Sequence, residues 1–288
     1  MSAAGQAAVF GQPIAHSKSP ALHRAAYAEL GIDLGYRAIE AGASEAPRLA
    51  RMLRDEPGWR GASVTMPLKQ ALVPLMDSVS ERVARLGVLN TIVASGHPGS
   101  VRLHGENTDV DGIVRALGDA GATSVRSVAI LGAGGTASAA TAALHLLGAQ
   151  QLDFVVRDAS RAADVLAFAA AGRCRAEAID ARTAGGRMHR YDAVISTLPP
   201  HAADGMVDAL GLDGLAPGTP LLDVAYDPWP SALAAAWSAA GGSVVGGLSM
   251  LVHQAVGQVR LFTGITGADW PHVTNVMCDA VGLPHPNR

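Results

Sequence analysis

The chain has 288 residues, with 49% hydrophobic and 16% charged residues and a net charge of −3. This is about twice the length of a typical domain of about 100–150 residues, and its composition is core-forming rather than disordered. The charge gives no footing for nucleic acid or an anionic membrane, and no apolar run nears the roughly 18–20 residues of a membrane span. Cys174 and Cys278 are the only cysteines, which excludes a disulfide scaffold and a cysteine-based zinc site and fits a reducing compartment. The opening MSAAGQAAVFGQPI lacks a basic n-region and an apolar h-region, so no secretory signal is expected and the expected compartment is the cytoplasm.

In chain order, an apolar run ending at Val9–Phe10 gives way to the polar loop GQPIAHSKSP. Ser19-Pro20 is a helix start, with Ser19 expected as the cap and Leu22, Ala25, Ala26 and Leu30 as the apolar face, up to a stop at Gly31. Strands are expected at Tyr36–Glu40 and Gly61–Val64, then a helix near Lys69–Leu75 and a short helix capped by Ser80 and ended by Gly87. Leu89–Ala94 and Val101–His104 read as a hairpin across HPGS. A helix follows Asn107-Thr108-Asp109 as far as Gly121.

From there the pattern is strand, glycine turn, helix. Val128–Leu131 leads into the turn, a helix runs to Leu147, and strands recur at Leu152–Val156, Glu177–Asp180, Asp192–Ile195, Leu221–Val224 and Val244–Val245. A helix is expected over 160–171, ended by Gly172. Such alternation predicts a parallel, doubly wound sheet. LSMLVHQAVGQVRLFTG reads as a helix, apolar at Leu248, Leu251, Val252, Ala255, Val259 and Phe262.

Gly132-Ala133-Gly134-Gly135-Thr136-Ala137 sits between a strand and a helix, where a pyrophosphate is held by backbone N–H groups and the helix dipole. Gly132, Gly134 and Ala137 match the G-x-G-x-x-G/A fingerprint of dinucleotide sites. After the next strand comes Val156-Arg157-Asp158-Ala159-Ser160-Arg161. Arg157 and Arg161 suit the 2′-phosphate of NADP, whereas Asp158 opposes it, so NADP is the expected cofactor with NAD as the alternative. Thr197 is a further candidate for the cofactor set.

Lysine usage is unusual. Of 22 basic residues only Lys18 and Lys69 are lysine. Arginine effectively never loses its proton, whereas lysine can exchange one, so Lys69 is a candidate proton carrier.

Several segments in fixed order, VFGQPIAHSKSPALH, GASVTMPLK, LNT, GENTD, GAGGTA and GLSMLVHQA, together resemble the shikimate dehydrogenase family over nearly the whole chain. DVAYDPWPSALAAA resembles its actinobacterial branch. The resemblance implies reversible, NADPH-dependent reduction of 3-dehydroshikimate to shikimate, a step toward chorismate and aromatic amino acids. It implies substrate contacts by Ser17, Ser19, Thr65, Asn90, Tyr226 and Gln254, with Lys69 and Asp109 catalytic, Gly247 and Met250 beside the nicotinamide, and no metal. The chain departs from the family at Ser63, where asparagine is common, at Val156-Arg157-Asp158, where Asn-Arg-Thr is usual, and at Ser138, where a basic residue is frequent.

The chemistry suits these residue types. Hydroxyl and amide groups can read ring hydroxyls and a carboxylate, a lysine ammonium can protonate the alkoxide left by hydride transfer, and Asp109 can hold that ammonium. His16 and His23 are read as structural or solvated.

The expected architecture is α/β. Residues 1–111 and 248–288 would form a substrate domain, and 112–247 an inserted dinucleotide-binding domain, with the active site in the cleft between them. The partner is then a small-molecule substrate, with no nucleic acid or membrane, and the state a monomer or homodimer. Rival readings are an NAD-using quinate/shikimate dehydrogenase, an aminoshikimate-type paralogue, a non-catalytic NADP-binding sensor, and a methylene-tetrahydrofolate dehydrogenase. The last leaves the paired serines of HSKSP unexplained.

Overall fold

Alternation along a single strand sets up the first half of the molecule. In β1 (Gly5–Gly11), Ala8 and Phe10 enter one hydrophobic cluster while Ala7 and Val9 enter another on the opposite face. Side chains of a strand point alternately to its two faces, so a strand apolar at every position must be covered on both. The computed structural model describes residues 5–97 and 99–286. Met1–Ala4 of the opening segment and Pro98 of the HPGS turn lie outside the described residues.

The described chain divides into two compact units, one of Met1–Thr108 with Leu251–Arg288 and one of Asp109–Met250. Unit 1 holds a six-stranded sheet of β1, β2 (Leu34–Glu40), β3 (Trp59–Val64), β4 (Ser78–Val79), β5 (Thr91–Ser95) and β6 (Arg102–Glu106), in the order β2-β1-β3-β5-β6-β4. β2, β1 and β3 are mutually parallel, and β5 runs antiparallel to both β3 and β6. Helices α1 (Ser19–Glu29), α2 (Ala46–Asp55), α3 (Leu68–Ala71) and α4 (Glu81–Leu86) connect these strands.

The sheet of unit 2 is made of β7 (Ser127–Leu131), β8 (Gln151–Val156), β9 (Arg175–Asp180), β10 (Ala193–Ser196), β11 (Pro220–Asp223) and β12 (Ser243–Gly246). All are parallel, in the order β12-β11-β10-β7-β8-β9. Its helices are α5 (Asp109–Asp119), α6 (Gly135–Leu146), α7 (Ala163–Ala171), α8 (Val207–Leu210) and α9 (Ala232–Ala239). This is the doubly wound strand order of dinucleotide-binding folds, with the reversal at the β7/β10 pair. The α/β class and the parallel sheet expected from strand–helix alternation are therefore present. Two helices end the chain: α10 (Gly247–Thr263), in which the division between the units falls, and α11 (Trp270–Asp279).

Three local expectations are corrected. Ser19 does not cap α1: Lys18 occupies the cap position without a side-chain bond, and the Ser19 N–H donates to Ser17 Oγ at 3.3 Å. The buried face of α1 is Leu22, His23, Ala26 and Tyr27, with Ala25 only half-buried, because the aromatic ring and the imidazole go inward. The helix expected near Lys69–Leu75 is α3 followed by a separate 3₁₀ turn, Val73–Leu75, where Pro74 lacks the N–H that would continue the ladder.

Two glycines let α10 lie against unit 1's sheet. A Cβ at Gly61, where φ is +154°, would stand 2.7 Å from the Phe262 ring, and one at Gly257 would stand 3.1 Å from Thr108 Cγ2. Val252, Ala255, Val259 and Phe262 then join Leu22, Ala26, Tyr27 and Tyr36 in one core cluster, with Met277 of α11.

His23 is fully buried in this cluster. Its ring stacks on Tyr36 with centroids 3.9 Å apart, Nδ1 lies 2.9 Å from the Ser19 carbonyl oxygen, and Nε2 has no partner. Burial pushes its pKa down from 6.5 to about 4. The unfolded chain thus takes up a proton here as the pH falls through 6.5, and the folded chain only near 4. The stability this group contributes is complete above about pH 6.5 and is lost as the pH falls toward 4, by up to about 3 kcal/mol. Urea unfolding between pH 7.5 and 4.5 should show a shallower acid loss in His23→Phe than in the parent chain; equal slopes would assign the acid sensitivity to other groups.

Candidate active site

Strand directions in unit 1 gather its polar residues at one edge of the sheet. Phe10 pairs with Val64, Ser63 with Thr91, and Thr91 with Glu106. The C-terminal ends of β1, β3 and β6 therefore lie together with the N-terminal end of β5, because β5 is the strand that runs the other way. The loop carrying Ser17 leaves β1 here, Thr65 and Lys69 follow β3, Asn90 precedes β5, and Asn107 and Thr108 follow β6.

Backbone bonds stitch these segments together. Thr65 N–H donates to Phe10 at 2.8 Å, Val64 N–H to Asn90 at 2.7 Å, Leu89 N–H to Lys69 at 3.0 Å, and Asn90 N–H to Glu106 at 3.1 Å. Lys69, in α3, is half-buried, as are Ser17 and Thr65, while Ser19 is buried.

Asn90 is the hub. Its Oδ1 accepts from Thr108 N–H at 2.7 Å and from the Thr91 hydroxyl at 2.8 Å. Its Nδ2 donates to Thr108 Oγ1 at 2.9 Å and to Gln254 Oε1 at 3.2 Å. Gln254 also donates from Nε2 to the Leu251 carbonyl at 2.9 Å. A buried amide leaves such groups unpaired only at a cost of about 1–3 kcal/mol each, so this cluster holds Asn90 and Gln254 in place. Two of the residues expected to hold substrate thus touch, although 164 residues separate them.

Asp109, the residue after Thr108, opens α5 in unit 2 and is buried. With Asp111 it gives the first turn of that helix two carboxylates, which favours its positive end.

The glycine turn of unit 2 has the steric features that its fingerprint requires. Gly132 has φ +106°, and a Cβ there would come within 2.7 Å of Thr197 Oγ1. Thr197 in turn donates its hydroxyl to the Leu131 carbonyl at 2.9 Å, so it braces the turn. Gly134 occupies the cap of α6 with no side-chain bond, and a Cβ on it would meet nothing within 4 Å. Ala133, Gly135 and Thr136 are half-buried around that open approach, while Ala137 is fully buried, as close helix–strand packing demands. The first N–H groups of α6 have no partner within the helix, an arrangement that can hold an anion such as a pyrophosphate.

After β8, Arg157 and Arg161 are both exposed. Asp158 caps the 3₁₀ turn Ala159–Ala162, its Oδ1 accepting from Ser160 N–H at 3.0 Å and from the Ser160 hydroxyl at 2.7 Å. These bonds, with Arg161 nearby, hold its carboxyl below the usual range. Tyr226 is half-buried beyond β11. Gly247 admits no side chain, since a Cβ would stand 2.1 Å from the Val224 carbonyl oxygen.

Sequence reading missed Thr91, Gln258 and Tyr36 and assigned no role to Thr108. The signal for Gln258 was its place four residues after Gln254 on an otherwise apolar face of α10, where two amides share one side of the helix.

Gly132→Ala tests the turn. The left-handed backbone and the Thr197 contact should cost roughly 1–3 kcal/mol of stability and weaken dinucleotide binding at least tenfold. Thermal melts and fluorescence titration with NADPH would show both, and an unchanged affinity would remove the turn from the cofactor site.

Comparison with known proteins bears on the same residues. Residues 9–92 match the family profile described as "Shikimate dehydrogenase substrate binding domain", and residues 247–267 match "Shikimate 5'-dehydrogenase C-terminal domain". The NADP(+) shikimate dehydrogenase of Citrifermentans bemidjiense is 35% identical over 278 residues, covering 90% of this chain and 89% of that protein. The pentafunctional AROM polypeptide of Schizosaccharomyces japonicus is 32% identical, but the chain spans only 17% of its length. Among solved structures, Mycobacterium tuberculosis shikimate dehydrogenase superposes with a TM-score of 0.82 at 38% identity, over 96% of this chain and 99% of that one. Quinate dehydrogenase from Corynebacterium glutamicum, in complex with NAD, superposes with a TM-score of 0.79 at 28% identity, over 96% and 99%. Extended similarity above 30% identity, carried by both units, means that the chain belongs to the shikimate dehydrogenase family.

Proposed function

We propose that the chain is an NADP-dependent shikimate dehydrogenase, reducing 3-dehydroshikimate to shikimate and running in reverse when shikimate is supplied. The observation that carries this reading is the hydrogen-bonded cluster of Asn90, Thr108 and Gln254 at the edge of the sheet that also bears Ser17, Thr65 and Lys69. A polyhydroxylated ring acid needs several fixed donors and acceptors, and this edge offers hydroxyl, amide and ammonium groups side by side.

Ser17, Ser19, Thr65, Asn90, Tyr226 and Gln254 bind the ring hydroxyls and the carboxylate. The nicotinamide, when bound, supplies the hydride. Lys69 donates a proton from its Nζ to the oxygen that becomes the new hydroxyl, and takes it back in the reverse direction. Asp109 supplies the carboxylate that balances the ammonium. On the cofactor side, Gly132–Ala137 and the first N–H groups of α6 hold the pyrophosphate, Thr197 braces the turn, and Gly247 leaves room beside the nicotinamide. Arg157 and Arg161 hold the 2′-phosphate by charge-assisted bonds. The same reading puts the enzyme in the cytoplasm, as a monomer or homodimer.

A second reading, an NAD-using quinate/shikimate dehydrogenase, is favoured by one observation: a carboxylate, Asp158, stands between the two arginines. Its bonds to Ser160 give it a structural task in place of the ribose contact an NAD site would want. Steady-state rates for shikimate and quinate with NADP and with NAD separate the two readings. The proposal expects shikimate with NADP to be the best of the four pairs by at least tenfold in kcat/KM. Arg157→Ala should then raise KM for NADP well above its effect on NAD.

The proton carrier is tested separately. Lys69→Ala should lower kcat by roughly 10²–10⁴-fold. Lys69→Arg should fail nearly as badly, since it keeps the charge and cannot surrender a proton. If Lys69→Arg retains most of kcat and only KM for shikimate rises, Lys69 merely binds a substrate hydroxyl.

A further inference from the structure

Behind Asn90 lies a line of buried polar groups that no role above uses. Tyr36 of β2 donates its hydroxyl to Ser63 Oγ at 2.6 Å, and Ser63, on β3, donates to Gln258 Oε1 at 2.7 Å. Gln258 Nε2 donates to Thr91 Oγ1 at 3.1 Å and to the Asn90 carbonyl at 3.2 Å. Thr91 then donates its only proton to Asn90 Oδ1. Ser63, Thr91 and Gln258 are buried, as is Tyr36, with exposures of 0–4%.

The direction of this relay is forced. The Thr108 N–H can only donate, so the atom of Asn90 that faces it at 2.7 Å is the oxygen. Thr91 gives its proton to that oxygen and must accept from whatever lies behind it. The group behind it is therefore the NH2 of Gln258, and Gln258 presents its oxygen to Ser63. Ser63 spends its proton there and accepts from Tyr36. Burial raises the Tyr36 phenol far above its ordinary value, so the proton that starts the relay stays in place at neutral pH.

We propose that Gln258, backed by Ser63 and Tyr36, is a positioning residue that fixes the amide of Asn90 with its oxygen locked inward and its NH2 turned toward Gln254, so that substrate meets this donor by taking the place of Gln254 Oε1. The inference rests on the reading that Asn90 holds substrate. It extends that reading to a second amide on α10, whose own atoms are fully engaged: Oε1 by Ser63, and Nε2 by Thr91 and the Asn90 carbonyl. The relay also reaches α1, because the Tyr36 ring stacks on His23, whose Nδ1 meets the Ser19 carbonyl.

Gln258→Met keeps the volume and removes both donors. Gln258→Glu keeps the shape, but sets a second acceptor against the Asn90 carbonyl and draws the Thr91 proton away from Asn90. Each should raise KM and the calorimetric Kd for shikimate by about 5- to 30-fold, the size of one or two lost buried hydrogen bonds, with kcat within about threefold and KM for NADP unchanged. Tyr36→Phe, the milder variant and the one least at risk of misfolding, should give a smaller rise of about two- to fivefold in the same constants. In Asn90→Ala/Gln258→Met the second substitution should add almost nothing to the first, because the effect of Gln258 passes through Asn90.

If Asn90→Ala raises KM while both Gln258 variants and Tyr36→Phe bind shikimate normally and only melt earlier, the relay is structural and the inference falls alone. Additive effects in the double variant would overturn it too. If Asn90→Ala itself leaves shikimate binding unchanged, the reading of the site fails and takes the inference with it.

Discussion

A buried amide has four hydrogen-bonding positions, and the fold around Asn90 is arranged to fill all of them. The residues that do so come from the end of β6, the start of β5 and the middle of α10, segments far apart in the chain. That is possible because β5 runs against β3, which brings a strand start to the edge where the other strands end. A wholly parallel sheet would place that residue at the opposite edge. The single reversal of direction in unit 1 is thus what brings Asn90 beside Thr108 and Gln254.

The two units present polar groups by different means. Unit 1 offers side-chain hydroxyls and amides locked by one another, which suits a ring with many distinct oxygens. Unit 2 offers backbone: the glycine turn and the first N–H groups of α6 leave an approach with nothing near Gly134. A diphosphate is the same in every dinucleotide, so a generic main-chain cradle suffices. In the proposed reading, the parts that distinguish one cofactor from another sit elsewhere, on the exposed side chains after β8.

Legibility from sequence followed the same division. The parallel strands of unit 2 were readable as short apolar runs between glycines, and the turn after β7 as a spacing of glycines. β4, only two residues long, left no pattern, and α2 and α11 went unread. The buried side of α1 was misread by one position, because Tyr27 and His23 are apolar enough at one edge to go inward while an alanine costs little outside. For the site, the polar residues of HSKSP, LNT and GENTD stood out against an apolar background. Gln258, Thr91 and Tyr36 did not, since their partners lie up to 195 residues away and no local period records such a contact.

Unit 1 is discontinuous, and this sets an order on its synthesis. Its core cluster needs Val252, Val259, Phe262 and Met277 against Leu22, Ala26 and Tyr36. Those C-terminal residues leave the ribosome only after every residue of unit 2. Unit 2, a continuous stretch, has its whole sheet available first, whereas the N-terminal 108 residues must wait with one face of β1 covered by α1 alone. For that interval Ala7, Val9, Tyr27 and Tyr36 form an apolar surface without its lid. The nascent chain thus passes through a state in which half of the protein is finished and the other half offers chaperones a hydrophobic face.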